Sequence, residues 1–320
     1  METILANLLS PIMLAFVLGI VATLVRSDLR FPEPLYQGIS MYLLLAIGMK
    51  GGVALVASPW QDVLFPLLGA FLLSAAIPLW IIPILQKVGR LDRIDAAAIA
   101  AHYGSVSVVT FLAGLAFMES INEPTEGFLP AMVAIMEFPG IIVALLLVQR
   151  ASAGSGDRQW TSALRTVLTG KSVFLLLGGL FIGIFSGDAG LAKVSAFFVD
   201  PFQGVLCLFL LEMGMVAARR FADIRKVGVF LIAFGLMIPV LHALLGLAVG
   251  YWCGLSRGGA TILAILAASA SYIAAPATVR LALPQANPGL YLTSSLAITF
   301  PFNLTVGIPL YFALSGLFYL

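Results

Sequence analysis

The sequence predicts an all-α integral membrane protein whose ten transmembrane helices form two inverted five-helix repeats, with helices four and nine discontinuous. Three observations carry this prediction. The chain of 320 residues is 61% hydrophobic and only 10% charged, where a soluble domain has about 25% charged residues to coat its surface. Its apolar runs are continuous and about 20 residues long, the length of a spanning helix, without the polar alternation of barrel strands. Motifs of the first half also recur, in order, in the second. With 31 Gly and 17 Pro, the helices are expected to pack closely and to be interrupted. The net charge of +2 is too weak and diffuse for a nucleic-acid binder. A lipid bilayer is the partner that the composition fits.

Hydropathy puts the spans at roughly 4–25, 35–56, 63–86, 94–118 and 128–149, then 172–187, 197–218, 227–253, 258–283 and 289–319. Met1-Glu2-Thr3 carries no basic region and no small-residue cleavage site follows, so the first run is expected to be a retained helix. Loops between ten spans alternate sides, and the basic residues sort with them. One side takes Arg26, Arg30, Lys87, Arg90, Arg93, Arg150, Arg158, Arg165, Lys171, Arg219, Arg220, Arg225, Lys226 and Arg280. The other takes Lys193 and Arg257, while Lys50 falls inside a span. A missed span would scramble this asymmetry. The basic side is therefore expected to be cytoplasmic, with both termini outside a bacterial inner membrane.

The halves match at nearly constant offsets. Tyr36-Gln37-Gly38 with Gly48-Met49 aligns with Phe202-Gln203-Gly204 and Gly214-Met215, Gly104-Ser105-Val106-Ser107 with Ala268-Ser269-Ala270-Ser271, and Phe138-Pro139 with Phe300-Pro301. Residues 1–150 then form the first repeat, 151–171 a cytoplasmic linker and 172–320 the second repeat. Five spans is an odd number, so the second repeat inserts upside down, an arrangement common in secondary transporters.

The fourth and ninth spans carry the chemistry. Each has a small polar break near its middle: His102-Tyr103-Gly104-Ser105-Val106-Ser107 with Thr110, and Ser269-Ala270-Ser271-Tyr272 with Pro276 and Thr278. A half-helix that starts within the membrane aims free N–H groups and a partial positive charge at the break. Two such ends meeting make an anion site without a buried Lys or Arg, with Ser105, Ser107, Ser269 and Ser271 adding hydroxyls. Small residues also serve tight helix packing, and it is their recurrence at mirrored positions that favours a site. Glu137 precedes Phe138-Pro139, and its mirror is Thr299, with Asn303 a turn later. A carboxylate in a bilayer usually faces a partner or a cavity. Two readings stand: a cation site for Na⁺ or a proton, or a helix-to-helix hydrogen bond. Lone His102 and His242 are expected to hydrogen-bond between helices, and Lys50 and Glu212 to lie too far apart to pair. The outer Glu119, Glu123 and Glu126 are expected to be solvated. Cys207 and Cys253 read as packing residues, and no nucleotide-binding loop or catalytic triad is apparent, so no enzyme and no organic cofactor are expected.

The two break motifs, with Ala267 to Arg280 continuing through Leu283-Pro284-Gln285-Ala286-Asn287-Pro288-Gly289, and Met136-Glu137-Phe138-Pro139, resemble the sodium-dependent bicarbonate transporter family known from cyanobacteria. The resemblance covers nearly the whole chain. It implies a core and a gate domain, often a homotrimer, and Na⁺-coupled bicarbonate uptake, with no cofactor beyond the coupling ion. By position, the substrate region falls on Gly104, Ser105, Ser107, Ser269, Ser271 and Tyr272, and sodium-site candidates are Thr110, Glu137, Thr278, Thr299 and Asn303. Departures from the cyanobacterial pattern are a shorter linker, which bears on regulation by a PII-like partner, Val108-Val109 for a Gly-Ser pair and Glu137 for an Asp. The alternatives in view are a carrier of another small monoanion or carboxylate, and a membrane channel or sensor.

Overall fold

The computed structural model describes residues 7–149, 165–166 and 169–319, so most of the expected linker lies outside the described residues. Among these residues there is no strand. Eight helices are long and apolar enough to cross a membrane, and two shorter apolar ones accompany them. In chain order the helices are α1 Pro11–Leu24, α2 Glu33–Ala57, α3 Trp60–Lys87, α4 Arg93–Tyr103, α5 Val108–Ser120, α6 Leu129–Met136 and α7 Pro139–Gln149. There follow α8 Lys171–Phe198, α9 Phe202–Arg219, α10 Gly228–Trp252, α11 Arg257–Ala268, α12 Ala274–Ala282 and α13 Pro288–Ser315. The pairs α4–α5 and α6–α7 each count as one crossing, and α12, nine residues long, is outside the ten.

Two bundles result. Helix α1 packs along α9 and α2 along α8, while α3, α4, α6 and α7 pack together and α10 packs on α11 and α13. Small residues let the first bundle close. A Cβ on Gly19 would lie 2.0 Å from Leu211 O, one on Gly52 2.1 Å from Leu180 O, and one on Gly214 2.1 Å from Phe16 O. Such backbone approach replaces the hydrophobic drive that lipid does not supply between helices. Burial separates the bundles by depth: 94% of the apolar stretch in Arg93–Ser120 is covered by protein, against 28% in Lys171–Phe198. The broken crossing is thus the centre of the molecule.

Local chemistry starts each half-helix. Asp92 accepts the N–H groups of Ile94 and Asp95 at 2.8 and 2.9 Å to begin α4, and Ser256 accepts that of Gly259 at 3.0 Å to begin α11. Three features differ from the sequence reading. Helix α8 continues to Phe198 past a kink at Gly187, whose φ of +60° lies in the left-handed region that glycine tolerates. The fifth span is itself broken, because Pro139 has no N–H to offer the preceding turn. Helix α13 widens into π turns at Thr293–Thr299 and Asn303–Gly307 on either side of Pro301, and such turns take up the lost hydrogen bond.

Candidate functional site

The break between α4 and α5 crosses the break between α11 and α12. Helix α4 ends at Tyr103, Ser107 is extended (φ −104°, ψ 111°), and its Oγ accepts the N–H of Thr110 at 3.1 Å as the cap of α5. After Ala268, Ser269 is extended (φ −81°, ψ 168°). Ser271 Oγ then accepts the N–H of Ala275 at 3.1 Å, and Pro276 occupies the first turn of α12, where no N–H is needed. The two breaks are tied to each other. Ser107 N donates to Ser269 Oγ at 2.8 Å, Ser271 N donates to His102 O at 2.8 Å, and Ser107 Oγ donates to Tyr272 OH at 3.2 Å. Both α5 and α12 begin at this crossing, so two partly positive helix ends share it.

A cavity of about 20 Å³ lies against the crossing, room for about one water. Its polar lining is Ser40, Ser107, Ser271, Tyr272, Glu137 and Ser172, and Leu43 and Leu44 of α2 with Phe209 of α9 close it from the other bundle. Glu137 is 2% exposed, and its Oε2 has no hydrogen-bond partner among the described residues. A third break supports it from behind. Ser105 Oγ donates to Glu137 O at 2.7 Å, and the Ser74 hydroxyl lies 2.7 Å from Gly104 O and 3.0 Å from Met136 O. These bonds satisfy carbonyls that the helix ends leave free. Gly104 and Gly140 meet backbone to backbone, since a Cβ on Gly140 would lie 2.1 Å from Gly104 O.

A family model described as the Na⁺-dependent bicarbonate transporter superfamily matches residues 11–316, nearly the whole chain. The chain belongs to this superfamily. No curated protein matches it. It is a multi-pass membrane member of a bicarbonate transporter superfamily.

Of the residues that the sequence nominates for the anion, Ser107, Ser271 and Tyr272 line the cavity. Gly104, Ser105 and Ser269 stand behind it and hold the breaks, with Ser269 Oγ also donating to Leu266 O at 2.7 Å. Of the sodium candidates, Glu137 lines the cavity, and Thr110 Oγ1 donates to Ser107 Oγ at 3.0 Å. Thr278 lines a separate cavity of about 220 Å³ that shares Ser172, Ile273 and Ala274 with the first. Thr299 and Asn303 lie apart, in protein hydrogen bonds. Thr299 donates to Gly235 O at 2.7 Å and accepts from Tyr103 OH at 2.6 Å; Asn303 donates to Ala268 O at 2.9 Å and accepts from Tyr311 OH at 2.6 Å.

The outlying polar residues find ordinary partners. Trp80 Nε1 donates to His242 Nε2 at 3.0 Å between helices. His102 bonds within its own helix instead, to Ala98 O at 2.7 Å, and stacks on Tyr291 with ring centres 4.5 Å apart. Lys50 lies over the Phe202 ring at 5.0 Å and Glu212 faces Arg219 at 3.9 Å, so the two do not pair. Glu126 is not merely solvated: its Oε1 accepts from Ser256 N at 2.6 Å at the start of α11. Ser74, Ser172 and Phe209 escaped the sequence reading. A single hydroxyl inside the apolar run of α3 was the available signal for Ser74.

Proposed function

We propose that this chain is a secondary active transporter that carries bicarbonate together with sodium into the cytoplasm by alternating access. One observation carries the reading: two half-helices begin at a shared crossing, beside a cavity that is also lined by Glu137, whose Oε2 has no hydrogen-bond partner among the described residues. Helix ends and the hydroxyls of Ser107 and Ser271 suit a small anion, and a carboxylate beside them suits the cation that screens it. Bicarbonate is the anion that the superfamily's description names, and the cavity of about 20 Å³ has to widen to admit it. The cavity lies between the two bundles, so relative rocking of α1, α2, α8 and α9 against the rest would widen it from either side.

The ten-span inverted repeat gives the rocking its symmetry. With α4–α5, α6–α7 and α11–α12 each taken as one span, α1 and α8 occupy equivalent places, as do α2 and α9. The crosswise packing of α1 on α9 and α2 on α8 is what an inverted pair would produce. Both termini then lie outside the inner membrane and the basic loops inside. Sodium serves a clear purpose, because moving one negative charge against an inside-negative potential costs about 2.3 kcal/mol per 100 mV. A 1:1 stoichiometry removes that cost.

The test is the double change Ser107→Ala with Ser271→Ala in proteoliposomes. Labelled bicarbonate uptake should saturate and be competed by unlabelled bicarbonate rather than chloride. The variant should lose about tenfold in uptake efficiency, two hydroxyl contacts being worth about 0.5–1.5 kcal/mol each. Wild-type uptake by the variant contradicts the site.

A further inference from the structure

A second polar cavity, where α1 and α9 end, plays no part in the transport reading. Helix α1 stops at Leu24, and Arg26, with φ of +58°, turns the chain while Ser27 N donates to Ala22 O at 2.8 Å. Ser27 Oγ accepts the N–H of Leu29 at 3.2 Å, which fixes the turn that carries Arg30. Thr23, Ser27, Leu29, Arg30, Phe31 and Arg219 line an open cavity of about 420 Å³ here, and no described carboxylate lines it.

The two arginines keep free donors. Arg30 is exposed and makes no hydrogen bond or ion pair with a described residue. Arg219 is 53% exposed and stands 3.9 Å from Glu212, too far for a hydrogen bond. Nearby Arg220 and Lys226 are in contrast occupied by Asp223, at 3.6 and 2.8 Å. Two arginines line this polar cavity, and the one ion pair either makes is the long contact of Arg219 with Glu212, so both guanidinium groups keep N–H donors that suit a phosphate. Val21, Leu24 and Val25 of α1 are exposed beside it, an apolar strip suited to acyl chains. We propose that this cavity binds a phosphate group, supplied from the membrane by the headgroup of an anionic phospholipid at the basic, cytoplasmic end of the molecule.

The full chain, purified in detergent, is titrated with phosphatidylglycerol or phosphatidylcholine and bound lipid is read by native mass spectrometry. Wild type should prefer phosphatidylglycerol, and the preference should fall about fivefold in Arg30→Gln and about thirtyfold in Arg30→Gln with Arg219→Gln. Arg90→Gln, a basic residue outside the cavity, should leave it unchanged. Because Arg219→Gln also strips Glu212 of its cation, Arg30→Gln alone decides the matter if the double variant does not fold. Phosphatidylglycerol that resists millimolar inorganic phosphate supports the membrane source. Displacement by inorganic phosphate overturns that source and assigns the arginines to a soluble phosphate. Equal retention of both lipids, an unchanged preference in Arg30→Gln, or an equal loss in Arg90→Gln overturns the site.

Discussion

Gly140→Ala should abolish bicarbonate uptake and lower the thermal stability of the purified protein. Gly140 is the second residue of α7, and the added methyl carbon would sit 2.1 Å from Gly104 O and 2.3 Å from Gly104 C. Both atoms are backbone, and Gly104 O is also held by Ser74 at 2.7 Å, so no flexible side chain can yield. Overpacking of a close contact costs about 1–3 kcal/mol, and here the strain falls on the break that orients Ser105 and Ser107. Uptake is lost even where the fold survives, because a small shift of the break misdirects the N–H groups of α5. Gly38→Ala is the matched control, since a Cβ at Gly38 meets nothing within 4 Å. Uptake in proteoliposomes and melting followed by size-exclusion should separate the two variants. Normal melting and uptake in Gly140→Ala would show that the contact is not needed.

Glu137→Gln should raise the sodium concentration for half-maximal uptake by about tenfold or more, since a lost charge-assisted contact costs about 1.5–3 kcal/mol. The substitution keeps the side-chain shape, and the bond from Ser105 goes to the Glu137 main-chain oxygen, which the change does not touch. It therefore removes the charge beside the cavity while leaving the break supported. Expression and melting should stay near wild type, because a buried carboxylate without a protein partner on one oxygen is costly to keep. An unchanged sodium titration curve in a well-expressed variant would remove Glu137 from the cation site.

The breaks of the fourth and ninth spans were legible in the sequence because Gly104 to Ser107 and Ser269 to Tyr272 interrupt otherwise apolar runs. The interruption of the fifth span and the π turns of α13 were not. Phe138-Pro139 and Phe300-Pro301 leave hydropathy unchanged, and the response to a missing N–H, a break in one case and a wider turn in the other, depends on tertiary packing. Close contacts between distant segments were hidden for the same reason. Nothing in the spacing of Gly104 and Gly140 shows that their backbones touch. The mirrored positions of Glu137 and Thr299 invited equal roles, yet the structure puts one carboxylate against the cavity and ties Thr299 to Tyr103 and Gly235. Sequence symmetry located equivalent places, and the side chains at those places took different partners.

The most direct measurement is uptake of labelled bicarbonate by the purified protein in liposomes, with an inward gradient of either Na⁺ or K⁺ at equal ionic strength. Saturable accumulation that requires the sodium gradient, and collapses when a sodium ionophore dissipates it, is the result expected of a sodium-coupled carrier. Equal uptake in the two salts, or uptake that does not saturate, contradicts it.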